Sequence, residues 1–166
     1  MYRKIEDFIT DWNAESSATL KIFSNISEES KSKKAGENIR TLERLAWHIT
    51  QTLTEMPARA GIIEDDILEN VPIPEVVSDI ISLYKQHSDE LVKLLQEKWS
   101  NVDLTEEIEV YGQKWERRKV LSVLVLHQTH HRGQMTVLMR LEKLPVPGIY
   151  GPSKEEWSKY GMEAME

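Results

Sequence analysis

The sequence predicts an all-α protein, an antiparallel four-helix bundle. Four long segments carry apolar side chains at the spacing of one helix face, and polar or proline-containing segments separate them. The chain of 166 residues, 40% of them hydrophobic, is long enough to bury one core without disulfides. We therefore expect residues 1–166 to form a single domain.

The first two predicted helices are separated by a stretch with little to bury. Residues 2–26 place apolar side chains on one helix face, which predicts helix one. Residues 27–36 are mostly Ser, Glu and Lys and are predicted to form a loop. Helix two is predicted for residues 38–60, where Pro57 is expected to kink or end the helix and Gly61 is a candidate C-cap.

The third predicted helix follows an acidic connection that ends in prolines. Residues 62–73 form this connection, and the apolar face of residues 74–99 predicts helix three, since proline is tolerated in the first turn of a helix. Within residues 105–116, apolar residues flank Tyr111-Gly112 with polar residues between them. This pattern predicts a small hairpin or an ordered loop before helix four.

The last long helix is predicted for residues 115–144. The sequence Pro145-Val146-Pro147-Gly148 ends it, because two prolines and a glycine cannot continue a helix. Ser153 and Glu156 then form a Ser-x-x-Glu capping box. We therefore predict a short extra C-terminal helix that runs through Tyr160 or beyond.

The composition argues against several classes of function. The chain has no cysteine, which excludes disulfides, thiolate metal ligands and a cysteine nucleophile. The net charge of -7 argues against a nucleic-acid partner, because such binding depends on basic patches. No stretch has the roughly 18 uncharged apolar residues of a membrane span. The N-terminal sequence reaches Glu6 and Asp7 at once without an apolar core, so we expect no secretory signal. We expect a cytoplasmic protein with no membrane partner.

Three of the five histidines lie between Leu126 and Gln134 on helix four. At ~100° per residue, His127 and His131 point about 40° apart into the apolar face, whereas His130 diverges from His131 by ~100°. Two buried imidazoles need polar partners, and one metal ion satisfies both, since zinc binds histidine nitrogens at ~2.0–2.1 Å. The alternative is a pair of core histidines bonded to the backbone, a buried water or a carboxylate.

A catalytic ion needs a third protein ligand from another helix. The candidates are His48 on helix two and His87 on helix three. Both lie at the edge of an apolar stripe, so the helical wheel does not choose between them. We expect His130 to support the site indirectly or to pack against a neighbouring helix or subunit.

Two motifs together resemble the DinB-like family, a damage-inducible group that includes bacillithiol transferases. They are Leu45-Ala46-Trp47-His48-Ile49 on helix two and His127-x-x-x-His131-Arg132-Gly133-Gln134 on helix four. The resemblance implies an up-down-down-up bundle and a divalent metal ion held by His48, His127 and His131. Some members, with their mycothiol-dependent relatives, use the metal together with a low-molecular-weight thiol.

The leading hypothesis is a metal-dependent S-transferase that joins a small thiol to small electrophiles. Three neutral histidines leave positions open on zinc or nickel, and an open ion activates a thiol or a water at neutral pH. Because the chain has no cysteine, the thiol would come from a cofactor. Metal-assisted hydrolysis is a second hypothesis, and a stress-linked, non-catalytic metal-binding or dimerisation protein is a third.

Several further residues are candidates to support the site or to contact substrate. Gln134 and Arg132 follow the histidines, and we expect Arg132 to make a surface ion pair instead. Trp115, Tyr150 and Trp157 lie beside the ends of helix four and are candidates to line a substrate pocket, although such aromatics often anchor loops.

The apolar face of helix four is wide enough to contribute both to the core and to a subunit interface. Its flank carries Leu121, Val125 and Met139, which suit a subunit interface as well as a core. We therefore expect a homodimer.

Overall fold

The computed structural model describes residues 1–164 and confirms the all-α fold. Its helices are α1 (Ile5–Phe23), α2 (Leu42–Arg59), α3 (Val77–Lys98) and α4 (Arg117–Leu141). A hairpin of β1 (Glu107–Val110) and β2 (Gln113–Glu116) precedes α4, and short 3-10 helices cover Asp103–Thr105 and Trp157–Tyr160. The last two residues of the predicted domain lie outside the described range. No helix in the described range is both long and apolar enough to cross a membrane.

The helices run up-down-down-up, as the family resemblance implied. Helices α1 and α2 each pack against both α3 and α4. Lys98 at the end of α3 donates to the carbonyl oxygen of Ile62 just after α2, so α2 and α3 are parallel. The backbone N–H of Val77 at the start of α3 donates to Glu28 just after α1, so α3 is antiparallel to α1. Helix α4 ends beside the loop that follows α1 and is therefore parallel to α1.

The apolar faces of all four helices meet in one core. Trp12, Trp47 and Tyr84 are fully buried there, one from each of α1, α2 and α3. From α4, Leu124 and Met135 point into the same core. Each buried side chain of this size contributes roughly 1.5–3 kcal/mol to the stability of the fold relative to an exposed one. The shared core therefore fixes the position of α2 relative to α4.

The helix ends differ from the predictions by a few residues, as expected when apolar periodicity alone sets the limits. Helix α2 continues through Pro57 to Arg59. Gly61 then adopts φ +74° and its N–H donates to Ala58, while the N–H of Ile62 donates to Pro57. These two bonds form a Schellman motif in which Ala60 is the C-cap and Gly61 is the next residue, so the predicted glycine ends α2 one position after the cap.

The predicted hairpin is present and leads directly into α4. Tyr111 and Gly112 have φ values of +52° and +71°, which a two-residue type I′ turn requires at both positions. Val110, the last residue of β1, is buried. The C-terminal segment forms a single 3-10 turn instead of the predicted helix: the turn starts only at Trp157 and ends at Tyr160, before Gly161 leaves the helical region at φ +67°.

Candidate metal centre

Three histidines from two facing helices meet between α2 and α4. His48 lies on α2, and His127 and His131 lie one turn apart on α4. The Nε2 atom of His127 is 3.3 Å from Nε2 of His48 and 3.1 Å from Nε2 of His131. Each side chain offers a nitrogen, and these nitrogens all lie within 4.8 Å of one another.

The two nitrogen–nitrogen distances at His127 fit tetrahedral coordination. Two nitrogens bound to zinc at ~2.0–2.1 Å with a tetrahedral angle between them are about 3.3–3.4 Å apart. The two Nε2–Nε2 distances at His127, 3.3 and 3.1 Å, agree with this spacing to within a few tenths of an ångström. A single proton can bridge only one pair of these nitrogens, whereas one metal cation can accept the lone pairs of all three. The cluster could therefore bind a divalent metal ion.

A hydrogen bond to the side-chain oxygen of Gln134 sets the tautomer of His131. Nδ1 of His131 lies 2.8 Å from Oε1 of Gln134, and an amide oxygen only accepts, so Nδ1 carries the proton. The lone pair of Nε2 then faces the other two histidines, as a metal ligand requires. The amide nitrogen of Gln134 lies 3.0 Å from Nε2 of His130, which links that exposed ring to the cluster through Gln134.

The surroundings keep the three histidines uncharged at neutral pH. Burial, followed by the neighbouring imidazoles, lowers the pKa of His48 and of His127 to about 4. Burial also lowers the pKa of His131, although its bond to Gln134 opposes the shift. Neutral imidazole is the form that binds metal, so little proton competition is expected at pH 7.

We expect the metal-free protein to lose stability as the pH falls from about 6.5 to about 4. In this range the unfolded chain, with ordinary histidine pKa values, binds more protons than the folded chain, in which the pKa of His48 and of His127 is about 4. Above about pH 7.5, one unit beyond the ordinary histidine pKa, both histidines are almost entirely neutral in both states and contribute little slope. Urea unfolding of metal-stripped protein at several pH values measures this dependence.

The control for this pH dependence is a double variant, His48→Gln with His127→Gln. Its free energy of unfolding should fall less steeply between pH 6.5 and 4, because two groups that take up protons on unfolding are gone. The same slope in both proteins would contradict the assignment.

Arg132, next to His131, is buried rather than on the surface. Its side chain is only 3% exposed and forms an ion pair with the carboxylate of Glu15 on α1. The guanidinium also donates to the carbonyl oxygen of Glu15 at 2.8 Å and to the hydroxyl of Thr19 at 2.9 Å. The prediction of a surface ion pair is therefore wrong, because the side of α4 that carries Arg132 is covered by α1.

Gln128, next to His127, extends this buried polar contact to α3. Its Oε1 accepts a hydrogen bond of 2.7 Å from the hydroxyl of Tyr84 and lies 3.1 Å from the hydroxyl of Thr19. The helical pattern of the sequence did not predict Gln128, Thr19 or Tyr84 as residues that support the site. The sequence did contain a signal for this contact: Gln128 directly follows His127, and Arg132 directly follows His131. These contacts position α4, and with it both histidine rings, against α1 and α3.

The structure separates His87 from the cluster. His87 is 5% exposed and lines a cavity between α2 and α3. Its Nδ1 lies 3.5 Å from a carboxylate oxygen of Glu90. Of the two candidates for the third ligand, the structure brings His48 to the pair on α4.

Of the predicted pocket aromatics, Trp115 lies just before α4, whereas Tyr150 contacts Thr129 and Arg132 in the middle of α4. The ring of Trp115 packs against Lys119, whose Nζ is 4.0 Å from the ring centroid, and its Nε1 donates to Gln113. The hydroxyl of Tyr150 donates to Glu15 at 2.8 Å and contacts Arg132, which ties the C-terminal segment to the bundle. Both aromatics anchor the segments that carry them.

The flank of α4 expected at a subunit interface is largely used by the core. Leu121 and Met139 are buried. The exposed apolar residues of α4 are Leu126, Val137 and Leu141 instead. The homodimer remains a prediction.

Two clefts border the histidine cluster, one beside His131 and one beside His48. The larger has a volume of about 600 Å³ and is bordered by His131 and Gln134. The smaller, of about 180 Å³, is bordered by His48 and several polar residues that include Glu55 and Arg59. A small molecule in either cleft would lie beside a histidine of the cluster.

The up-down-down-up bundle and its three-histidine cluster define a class of small helical proteins with a candidate metal centre between α2 and α4. The model of the DinB family matches residues 1–164, and the chain belongs to this family. The chain is also 37% identical over 164 residues to the uncharacterized protein YrdA of Bacillus subtilis (strain 168), with 99% of this chain and 98% of that protein covered.

Solved structures agree with this assignment. A DinB-like protein from Bacillus cereus ATCC 10987 superposes with a TM-score of 0.84 and 35% sequence identity, over 90% of this chain and 100% of that one. The DinB-like protein YjoA from Bacillus subtilis superposes with a TM-score of 0.67 and 22% identity, over 84% and 96% of the two chains. The second similarity is one of fold alone.

Proposed function

We propose that this protein is a metal-dependent transferase that joins a small thiol to small electrophiles. The observation that carries the proposal is the convergence of three uncharged histidine nitrogens beside clefts of small-molecule size. A divalent ion such as zinc or nickel would supply the Lewis acidity that lowers the pKa of a thiol towards neutrality. A cytoplasmic location belongs to the same proposal, since low-molecular-weight thiols stay reduced there.

The side chains of the protein would have distinct roles in this reaction. His48, His127 and His131 would hold the ion, and Gln134 would keep the lone pair of His131 directed at it. The chain has no cysteine, so the nucleophilic sulfur would come from the thiol cofactor. The thiol loses its proton to solvent, the sulfur forms a bond to carbon, and the leaving group departs with the electron pair of the bond that breaks.

A fluorogenic conjugation assay tests this proposal. Purified protein loaded with zinc or nickel should accelerate the reaction of monochlorobimane with bacillithiol, with coenzyme A and cysteine as comparison thiols. A chelator should abolish the acceleration, and His48→Ala should reduce the rate at least about 100-fold, because loss of an orienting partner alone costs 10–100-fold. His87→Gln removes a histidine outside the cluster and should react like the wild type. Conjugation that survives both the chelator and His48→Ala would overturn the proposal.

Metal-assisted hydrolysis is a second candidate, and the position of Glu55 favours it. Glu55 lines the smaller cleft with His48, and its negative charge partly opposes the lowering of the pKa of His127. One carboxylate oxygen accepts from the hydroxyl of Tyr111 at 2.9 Å and from Nε of Arg59 at 3.2 Å. In this second candidate, Glu55 would accept a proton from an attacking water.

The two candidate activities separate in one comparison. A hydrolase should cleave p-nitrophenyl esters without added thiol and should lose this activity in Glu55→Gln. A transferase should require the thiol and should tolerate Glu55→Gln. A non-catalytic metal-binding protein would show neither activity while retaining the metal.

A further inference from the structure

The larger cleft beside the histidine cluster has the walls of a binding site for an apolar molecule. Ile39, Val137 and Leu141 line it, and they are 48%, 60% and 62% exposed. Three large apolar side chains from two separate segments thus face one concave space instead of the core. Its volume of about 600 Å³ lies within the range of small-molecule sites.

One cationic side chain borders the same cleft. Arg40, just before α2, lines it together with His131 and Gln134. Within residues 1–164, no carboxylate lies close enough to Arg40 to form a salt bridge. Arg40 therefore borders the same cleft as His131, a member of the candidate metal centre.

We propose that this cleft binds a small carboxylate with an apolar body. The fork of the Arg40 guanidinium would receive the carboxylate, a geometry for which arginine is better suited than lysine. The apolar body would cover Val137 and Leu141, and removing their exposed surface from water would favour binding. The end of the bound molecule opposite the carboxylate would then reach His131. The cleft would in this way present one reactant to the candidate metal centre.

The use of this cleft by a reactant rests on the proposed transferase function. The binding of a carboxylate does not, because Arg40 and the apolar wall are present with or without a metal ion. A binding measurement on protein stripped of metal and dialysed free of chelator therefore tests the cleft alone, and it also removes direct binding of the carboxylate to a metal.

Isothermal titration calorimetry with 4-phenylbutyrate is the direct test. We expect binding, with the neutral analogue 4-phenylbutanol at least about tenfold weaker. Arg40→Gln should weaken the binding of phenylbutyrate about tenfold, since a charge-assisted pair is lost, and Arg40→Lys should retain part of it. Lys34→Gln removes a positive charge from the same loop outside the cleft and should bind like the wild type.

A second pair of variants tests the apolar wall. Val137→Asp places a negative charge inside the cleft at an exposed position of α4 and should abolish binding of phenylbutyrate. Leu126→Asp makes the same kind of change on the same helix outside the cleft and should have no effect. Equal affinities of wild type and Arg40→Gln, unchanged binding in Val137→Asp, or no binding by the wild type would each overturn the proposal.

The carboxylate belongs either to the thiol or to the electrophile, and conjugation assays distinguish these sources. With the neutral electrophile monochlorobimane, 3-mercaptopropionate is compared with 2-mercaptoethanol. With 2-mercaptoethanol as the thiol, 4-(chloromethyl)benzoate is compared with benzyl chloride. Arg40→Gln should abolish the preference for the charged reactant in one of the two comparisons. No conjugation in either would refute the transferase function and leave the calorimetric result standing.

Discussion

His127→Ala is expected to lower the affinity of the protein for zinc by more than about 100-fold. Loss of the hydrogen-bond partner of a metal-binding histidine alone costs 10–100-fold, and removal of a ligand costs more. Nε2 of His127 lies within 3.3 Å of the corresponding nitrogens of His48 and His131, so its loss removes the central member of the cluster. His48→Ala and His131→Ala should give losses of the same order.

The measurement is a zinc titration of metal-stripped protein in competition with a chromophoric chelator, with stoichiometry from elemental analysis. His87→Gln serves as a control that removes a histidine outside the cluster and should leave the affinity unchanged. His130→Ala should weaken binding at most about tenfold, because His130 reaches the cluster only through Gln134. Full zinc occupancy and unchanged affinity in His127→Ala would rule out the three-histidine centre.

Glu15→Ala is expected to destabilise the protein by about 3 kcal/mol or more. The substitution leaves the guanidinium of Arg132 buried without its counter-charge, and breaking a buried ion pair from one side costs about 3–5 kcal/mol. For a chain of this length, the change corresponds to a fall in Tm of at least about 6–12 °C. Thermal unfolding followed by circular dichroism measures it.

The same helix supplies the matched control. Arg140 on α4 pairs with Glu155, but both side chains are about half exposed, at 44% and 45%. Glu155→Ala should therefore cost less than about 1 kcal/mol, since exposed pairs are screened by solvent. Similar losses of stability in Glu15→Ala and Glu155→Ala would show that burial does not increase the contribution of the Arg132–Glu15 pair to stability.

Features of the sequence that act over a few residues were predicted well. Apolar periodicity located all four helices, and the local signals at Gly61 and at Tyr111-Gly112 identified a helix end and a hairpin turn. The 3.6-residue period also placed His127 and His131 on one face, because the relative direction of side chains in a helix depends only on their spacing. The helix ends were less certain, since capping and the last turns depend on contacts outside the helix.

The partners of each helix face were decided by the tertiary structure. Helical periodicity left His48 and His87 equivalent, and the family resemblance implied His48. The structure places His48 against α4 and His87 in a cavity between α2 and α3. It also covers Arg132 with α1 and brings Arg40 to the cleft beside His131.

The sequence by itself therefore determined the helices, the hairpin and the direction of the two histidines on α4. Only the tertiary structure decided which side chains complete the candidate centre, which charges are buried and where a small molecule has access. The physical reason is that a helical wheel describes the surface of one helix. The packing order of α1 to α4 depends instead on the shared core and on the connections, whose contacts join residues far apart in the chain.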